Sequence, residues 1–171
     1  DLILVRGGPV PPWLAEAAGF GQRYPEWIPR PPCRVTLIVG PPCGGKTTYA
    51  RHAAQPGDFV IDLDEVVQGL TGRHGHDIPD WGQDLIARAY YARNAMLAAL
   101  TADVGHCWFI LGTPDRAEGE WWRAKLGAAL VAVNPGRDVC LSRAGERALA
   151  ALQRSKIVAW FAAPQPKPVK R

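Results

Sequence analysis

One segment of eight residues constrains this chain more than any other. Residues 40–47 have the sequence Gly-Pro-Pro-Cys-Gly-Gly-Lys-Thr and match every fixed position of the pattern G-x-x-x-x-G-K-[ST]. Residues 35–39 before it are a nearly all-apolar, β-branched run, which is typical of a buried parallel strand. A helix is predicted from Lys46 to Ala54, before Pro56-Gly57. A strand, a glycine-rich turn and a helix in this order predict a phosphate-binding loop, or P-loop.

The residue types in this loop suit a nucleoside triphosphate. Glycine allows the backbone to curl so that several N–H groups can face phosphate oxygens, and the helix N-terminus adds positive potential. Lys46 is predicted to reach the β- and γ-phosphates, and the Thr47 hydroxyl to ligate Mg²⁺. We therefore predict ATP and Mg²⁺ as cofactors, bound by Gly40, Pro41, Pro42, Cys43, Gly44, Gly45, Lys46, Thr47 and Thr48.

Strand and helix patterns alternate along most of the chain. Strands are predicted at 35–39, 59–61, 107–111 and 129–133, and helices at 46–54, 81–102, 115–126, 137–154 and 157–162. Residues 65–80 are predicted to be irregular, because they contain three glycines and Pro79. This alternation predicts an α/β fold, a P-loop NTPase-like three-layer sandwich with a four- to five-stranded parallel sheet.

Proline marks the start of the chain as different. Seven of the 16 prolines fall between Pro9 and Pro32, which excludes continuous helix or a central strand there. We predict a Pro-rich N-terminal arm at 1–33 with one short helix near Trp13–Ala18, a P-loop domain at 34–163 and a basic tail at 164–171. The arm is expected to contact the domain, a protein partner or a second copy through Trp13, Phe20, Tyr24 and Trp27.

Charge is concentrated at one end of the sequence. The net charge is +4, but residues 137–171 contain eight basic and two acidic residues, a balance of +6. A basic segment beside a mildly acidic body indicates a polyanionic ligand such as nucleotide phosphate, DNA or RNA, although the last five residues are interpreted as a solvated tail.

The four cysteines are scattered and form no C-x-x-C pair, so neither a disulfide framework nor a cysteine zinc site is expected. No apolar run approaches the roughly 18 residues of a membrane span. We therefore expect no membrane partner and a cytoplasmic location.

Two carboxylates follow the second predicted strand. If that strand pairs beside the first, Asp62 and Asp64 lie next to the γ-phosphate, and their spacing of two places both on one face of extended backbone. One carboxylate would then hold a Mg²⁺-bound water while the other accepts the proton of an attacking hydroxyl. The alternative is a pair of loop or helix-capping aspartates.

These segments together resemble a family of small kinases. The G-P-P-C-G-G-K-T-T loop, the strand ending D-L-D and a later arginine-bearing helix are similar to the polynucleotide-kinase and zeta-toxin-like group, often labelled AAA-type ATPase domains in bacteriophages, over residues 34–162. The group includes kinases of hydroxymethylated bases in phage DNA. The resemblance implies that the general base is Asp64, or Asp62 if the register differs. The third strand carries no acid before Asp115, unlike motor ATPases, and this favours a kinase.

Arginines after the fourth strand resemble the lid of these kinases. Arg143, Arg147 and Arg154 would form one stripe on an unbroken helix, and the first two are predicted to clamp phosphates. The alternative is a solvated basic face.

Weaker signals are interpreted as structural. His74 and His76 are assigned to plain loop rather than a metal site, with a substrate contact left open. Arg88, Arg93 and Arg116 are interpreted as surface residues, although each could meet acceptor phosphates. The tryptophans Trp108, Trp121 and Trp122 are assigned to the core or an interface.

The sequence thus predicts a kinase that transfers the γ-phosphoryl group of ATP to a hydroxyl on a nucleotide or nucleic acid. Its catalytic residues would be Lys46, Asp64, Arg143 and Arg147, and the metal would be held by Thr47 and Asp62. Two alternatives stay open: an NTP hydrolase or nucleotide switch without an acceptor, and a phage structural or assembly protein that retains the loop.

Overall fold

The computed structural model describes residues 23–145, 147 and 149–163. The predicted helix near Trp13–Ala18 and the tail at 164–171 lie outside these residues, as do Trp13 and Phe20. The strands are β1 (Arg34–Val39), β2 (Phe59–Asp62), β3 (His106–Leu111) and β4 (Ala129–Ala132). The α-helices are α1 (Lys46–Ala53), α2 (Leu63–Thr71), α3 (Gly82–Ala98), α4 (Arg116–Leu126), α5 (Arg137–Gly145) and α6 (Ala150–Ala162), with a 3₁₀ turn at Gly75–Asp77.

The strands form one parallel sheet in the order β2-β3-β1-β4. Phe109 of β3 sits opposite Leu37 of β1 on one side and opposite Ile61 of β2 on the other. The four-stranded α/β fold predicted from the sequence is therefore confirmed. The condition that β2 pairs beside β1 is not met, because β3 lies between them.

Alternation along β1 and β3 divides the core between the two faces of the sheet. Leu37 and Phe109 face a cluster that includes Leu97 of α3 and Trp122 of α4. The intervening residues Ile38 and Ile110 face Ala50 of α1. Helices thus cover both faces, as parallel strands that are buried on two sides require. Trp122 is fully buried and packs edge-to-face on Phe109, with ring centroids 5.1 Å apart.

Residues 65–71 belong to helix α2 and not to the irregular segment predicted at 65–80, whereas residues 72–80 form a loop that contains the 3₁₀ turn. The signals for α2 were present: Asp62 caps the helix, Asp64 and Glu65 occupy its first turn, and Gly72 ends it with a φ of 76°. The glycines at 69 and 72 suggested loop, but Gly69 is tolerated within α2.

The single helix predicted at 137–154 is also wrong. α5 ends at Gly145 and α6 begins at Ala150, so Arg147 lies in neither helix. The two helices pack together through Cys140, Ala144 and Ile157, and Cys43 of the phosphate loop packs against this cluster. The helix pair therefore lies beside the loop.

The described end of the N-terminal segment packs along α4. Ile28 is 1% exposed within the main core, and Tyr24 contacts Trp121 edge-to-face at 5.3 Å. Arg23 forms a short ion pair with the buried Glu118. Among the described residues, none of the helices combines the length and the apolar character that a bilayer crossing requires.

Candidate active site

A cavity of about 540 Å³ opens at the carboxyl ends of β1, β2 and β3. This volume lies within the usual range for small-molecule sites. Seven of the nine predicted nucleotide-binding residues line it, namely Pro42, Cys43, Gly44, Gly45, Lys46, Thr47 and Thr48. Gly40 and Pro41 do not line the cavity, but their backbone oxygens accept hydrogen bonds from Lys46.

The loop has a compact backbone that only small residues permit. A Cβ on Gly40 would lie 2.1 Å from the backbone oxygen of Val133, so the chain after β4 passes directly against this glycine. The Gly44 N–H donates to Pro41 O at 3.1 Å, which closes the turn. Gly45 precedes α1 with a φ of 96°, in the left-handed region that favours glycine.

Lys46 is held in place by the loop itself. Its partly buried ammonium donates to Gly40 O at 3.0 Å and to Pro41 O at 2.9 Å. Burial lowers the pKa of Lys46, and the negative charges of Asp62 and Asp64 oppose that shift. A cation is therefore positioned at the loop before any anion binds.

Thr47 and Asp62 meet across the start of the cavity. The Thr47 hydroxyl donates to Oδ2 of Asp62 at 2.6 Å, and Asp62 is only 6% exposed. A hydroxyl and a carboxylate in contact beside a phosphate loop are oxygen donors of the kind that Mg²⁺ takes. The donor set, together with the glycine-lined loop and its cation, fits a magnesium nucleotide.

Asp64 occupies the first turn of α2 and lines the same cavity. Asp62 and Asp64 do not share a face of extended backbone as predicted, because the chain turns helical at Leu63. Both nevertheless reach the cavity. Burial and the nearby Asp62 charge raise the pKa of Asp64, so this carboxylate binds a proton more readily than an exposed aspartate does.

The capping bond of Asp62 supports one stability prediction. Oδ1 of Asp62 accepts from the Asp64 N–H at 3.1 Å. Asp62→Ala removes this acceptor, whereas Asp62→Asn removes the charge but keeps a capping oxygen. We expect the free energy of unfolding of Asp62→Ala to be about 1 kcal/mol lower than that of Asp62→Asn. Urea denaturation without Mg²⁺ or nucleotide measures the difference, and equal stabilities would show that the cap contributes nothing.

The two arginines that were predicted to clamp phosphates lie in different places. Arg147 lines the cavity, between the ends of α5 and α6. Arg143 is exposed, donates to Cys43 O at 3.2 Å and does not line the cavity. The predicted stripe is wrong because the helix is broken, and Arg154 lies against Gly145 at the junction of α5 and α6.

The cavity also contains residues that the sequence did not single out as site residues. Arg93 lines it, although its side chain is 2% exposed and its guanidinium stacks over the Tyr90 and Trp122 rings at 4.5 and 4.8 Å. The surface position predicted for Arg93 is therefore wrong. Arg88 and Arg116 do not line the cavity, whereas Arg51, Trp81, Tyr90, Glu118, Gln153 and Lys156 do.

The end of β3 contributes no carboxylate to the described part of the cavity. Leu111, Gly112 and Thr113 line it there, and the acid nearest along α4 is Glu118, which is paired with Arg23. The carboxylates that line the cavity beside the phosphate loop are thus Asp62 at the end of β2 and Asp64 in the first turn of α2.

Comparison with known proteins agrees with this geometry. A search of curated proteins found no match to the chain. A family model described as an AAA domain matches residues 35–160, which include all four strands, the phosphate loop and both aspartates. The chain therefore belongs to this AAA domain family of P-loop NTPase-like proteins, and it is a P-loop nucleotide-binding domain.

Proposed function

We propose that this protein is an ATP-dependent kinase that transfers a phosphoryl group to a hydroxyl on a nucleotide or nucleic acid, as in the polynucleotide-kinase-like group. One observation carries the proposal: Asp64 lies in the same cavity as the Lys46–Thr47 loop and is separate from the Thr47–Asp62 pair. A hydrolase needs a group that positions water, whereas a kinase needs a free base beside the metal site.

The loop residues would bind and orient the triphosphate. Lys46 would contact the β- and γ-phosphates, and Thr47 and Asp62 would hold Mg²⁺. The chemistry that Mg²⁺ would supply there is neutralisation of the phosphate charge. Because Lys46 is already fixed by Gly40 O and Pro41 O, little reorganisation accompanies binding.

Asp64 would act as the general base. The acceptor oxygen forms a bond to the γ-phosphorus while the bond from that phosphorus to the bridging oxygen of ADP breaks. The acceptor proton moves to a carboxylate oxygen of Asp64, and ADP leaves with the electron pair of the broken bond. Atoms and charge therefore balance without another reactant.

Arginine and lysine side chains would stabilise the anionic groups. Arg147 reaches the cavity and is suited to clamp the transferring phosphoryl group. Arg143 would support the loop through Cys43 O. Arg51 and Lys156 also line the cavity and favour an acceptor that itself carries phosphate.

The kinase proposal is tested by offering acceptors to the full chain. ATP labelled at the γ-phosphorus is incubated with oligonucleotides of DNA and RNA, with DNA containing hydroxymethylated bases, and with free nucleosides. We expect label to appear on at least one acceptor and ATP consumption to rise when that acceptor is present. Hydrolysis at one rate with every acceptor and without any would instead identify an NTP hydrolase or switch.

A further inference from the structure

A loop between α2 and α3 places two histidines over Asp64. Each of Asp64, His74 and His76 offers one donor atom, and these donor atoms all lie within 4.8 Å of one another. The two imidazole rings are 3.9 Å apart at their centroids and are tilted by 46°. Three side chains from two segments of the chain therefore converge on one point of the cavity wall.

One ring nitrogen of each histidine lacks a good hydrogen bond. Nδ1 of His74 is buried and has no hydrogen-bond partner among the described residues. Nε2 of His76 lies 3.4 Å from Oδ1 of Asp77, longer than a good hydrogen bond. A buried imidazole nitrogen without a partner carries a desolvation cost that a ligand would remove.

Hydrogen bonds from two side chains hold the backbone of this loop in position. The Trp81 indole N–H donates to Gly75 O at 2.9 Å, and the Gln153 amide donates to His76 O at 3.3 Å. A Cβ on Gly75 would lie 2.3 Å from Oδ1 of Asp64 and 2.7 Å from the Trp81 ring, so only glycine allows this approach. The donor groups are thus positioned before any ligand binds.

We infer that Asp64, His74 and His76 form a binding site for a divalent transition metal of the Zn²⁺ type. Two imidazoles and one carboxylate, with an open position toward the cavity, are a donor set that Zn²⁺ and its neighbours prefer. Mg²⁺ prefers oxygen donors, so the Thr47–Asp62 pair would remain its site. The chain thus carries two metal sites of different chemical hardness in one cavity.

Metal at this site would inhibit phosphoryl transfer, and this consequence rests on the proposed kinase function. A lone pair of Asp64 that binds the metal is no longer free to take the acceptor proton. Zn²⁺ would therefore compete with the acceptor proton for the Asp64 carboxylate, even when Mg²⁺ and ATP are saturating.

The metal site is tested first by binding, independently of catalysis. Zn²⁺, and separately Co²⁺ as a spectroscopic probe, is titrated into the tag-free full chain in excess Mg²⁺ without nucleotide. We expect one Zn²⁺ per chain and a loss of affinity of at least about tenfold in each of His74→Ala, His76→Ala and Asp64→Asn. His52→Ala is the matched control, because His52 is exposed at the end of α1 and does not line the cavity.

The outcomes separate clearly. Absence of stoichiometric Zn²⁺ binding, or equal affinities in the His74, His76 and His52 variants, would overturn the site. Thiolate charge-transfer bands in the Co²⁺ spectrum would also overturn it, because they would place the metal on cysteine. Circular dichroism of each variant shows that the fold is kept, and Asp64→Asn repeats the test without altering the histidine loop.

The inhibitory role is tested in a second measurement. Transfer is followed with and without Zn²⁺, and each variant is compared with its own rate in the absence of zinc. We expect Zn²⁺ to slow the wild type and to have a much smaller effect on the double variant His74→Ala/His76→Ala. Equal fractional inhibition of the two proteins would overturn the inhibitory role. If no acceptor is phosphorylated at all, the kinase proposal fails, while the binding titration still decides the metal site.

Discussion

Lys46→Ala is expected to slow phosphoryl transfer by at least about 10²- to 10³-fold, the usual effect of removing a preorganised electrostatic contact. The ammonium is fixed by Gly40 O and Pro41 O at the base of the cavity. Without it, two carbonyl oxygens of the loop lose their cation, and less positive charge opposes the carboxylates of Asp62 and Asp64 when a triphosphate enters. Nucleotide affinity should therefore fall together with the rate.

The measurement compares labelled-phosphate transfer and calorimetric nucleotide binding in wild type, Lys46→Ala and Lys46→Met. The methionine variant keeps much of the side-chain length but not the charge, so it separates electrostatics from packing. Lys125→Ala is the control, because Lys125 contacts Glu26 and does not line the cavity. Retention of more than about a tenth of the rate in Lys46→Ala would contradict a role for this cation in the transition state.

Local patterns predicted the part of the site that is continuous in sequence. The strand before the loop, the glycines and Lys46 lie where the pattern placed them, with β1 at Arg34–Val39 and α1 at Lys46–Ala53. This succeeds because an apolar β-branched run favours a buried strand, and because the glycines of the motif permit the positive φ values that the turn requires. The four-stranded α/β architecture follows from the same alternation.

Strand order and helix breaks were not accessible in the same way. The insertion of β3 between β1 and β2 depends on which buried edges pair, and the local sequence does not encode it. Asp62 reaches Thr47 all the same, because neighbouring parallel strands end at one edge of the sheet. Because the helix is interrupted between Gly145 and Ala150, Arg147 does not lie on the predicted stripe but lines the cavity.

The contacts around Asp64 are the least predictable part of the site. His74 and His76 lie in a glycine-rich stretch that resembles ordinary loop, and only the tertiary fold brings them to α2. The buried Arg93 is similar, since a helical arginine is usually exposed, and here the Tyr90 and Trp122 rings cover it. Contacts between residues far apart in sequence decide both cases.

Asp64→Asn is expected to slow transfer by about 10²- to 10⁴-fold while nucleotide affinity remains close to that of the wild type. The amide has nearly the same shape as the carboxylate but cannot accept the acceptor proton at neutral pH. Asp62 keeps its bonds to Thr47 and to the Asp64 N–H, so the metal pair and the helix cap are retained. The lost charge in the first turn of α2 costs at most about 1 kcal/mol of stability.

The control for this variant is Asp84→Asn, which makes the same change in the first turn of α3, where Asp84 is exposed and outside the cavity. Quenched-flow transfer with a saturating acceptor separates the chemical step from ADP release. A loss confined to the chemical step agrees with a base, whereas a loss of ATP affinity would assign Asp64 to nucleotide or metal binding. If Asp64→Asn transferred phosphate at the wild-type rate, Asp62 would be the only one of the two aspartates still available as a base. Because Asp62 is buried between Thr47 and the α2 cap, catalysis would then have to proceed without a carboxylate base.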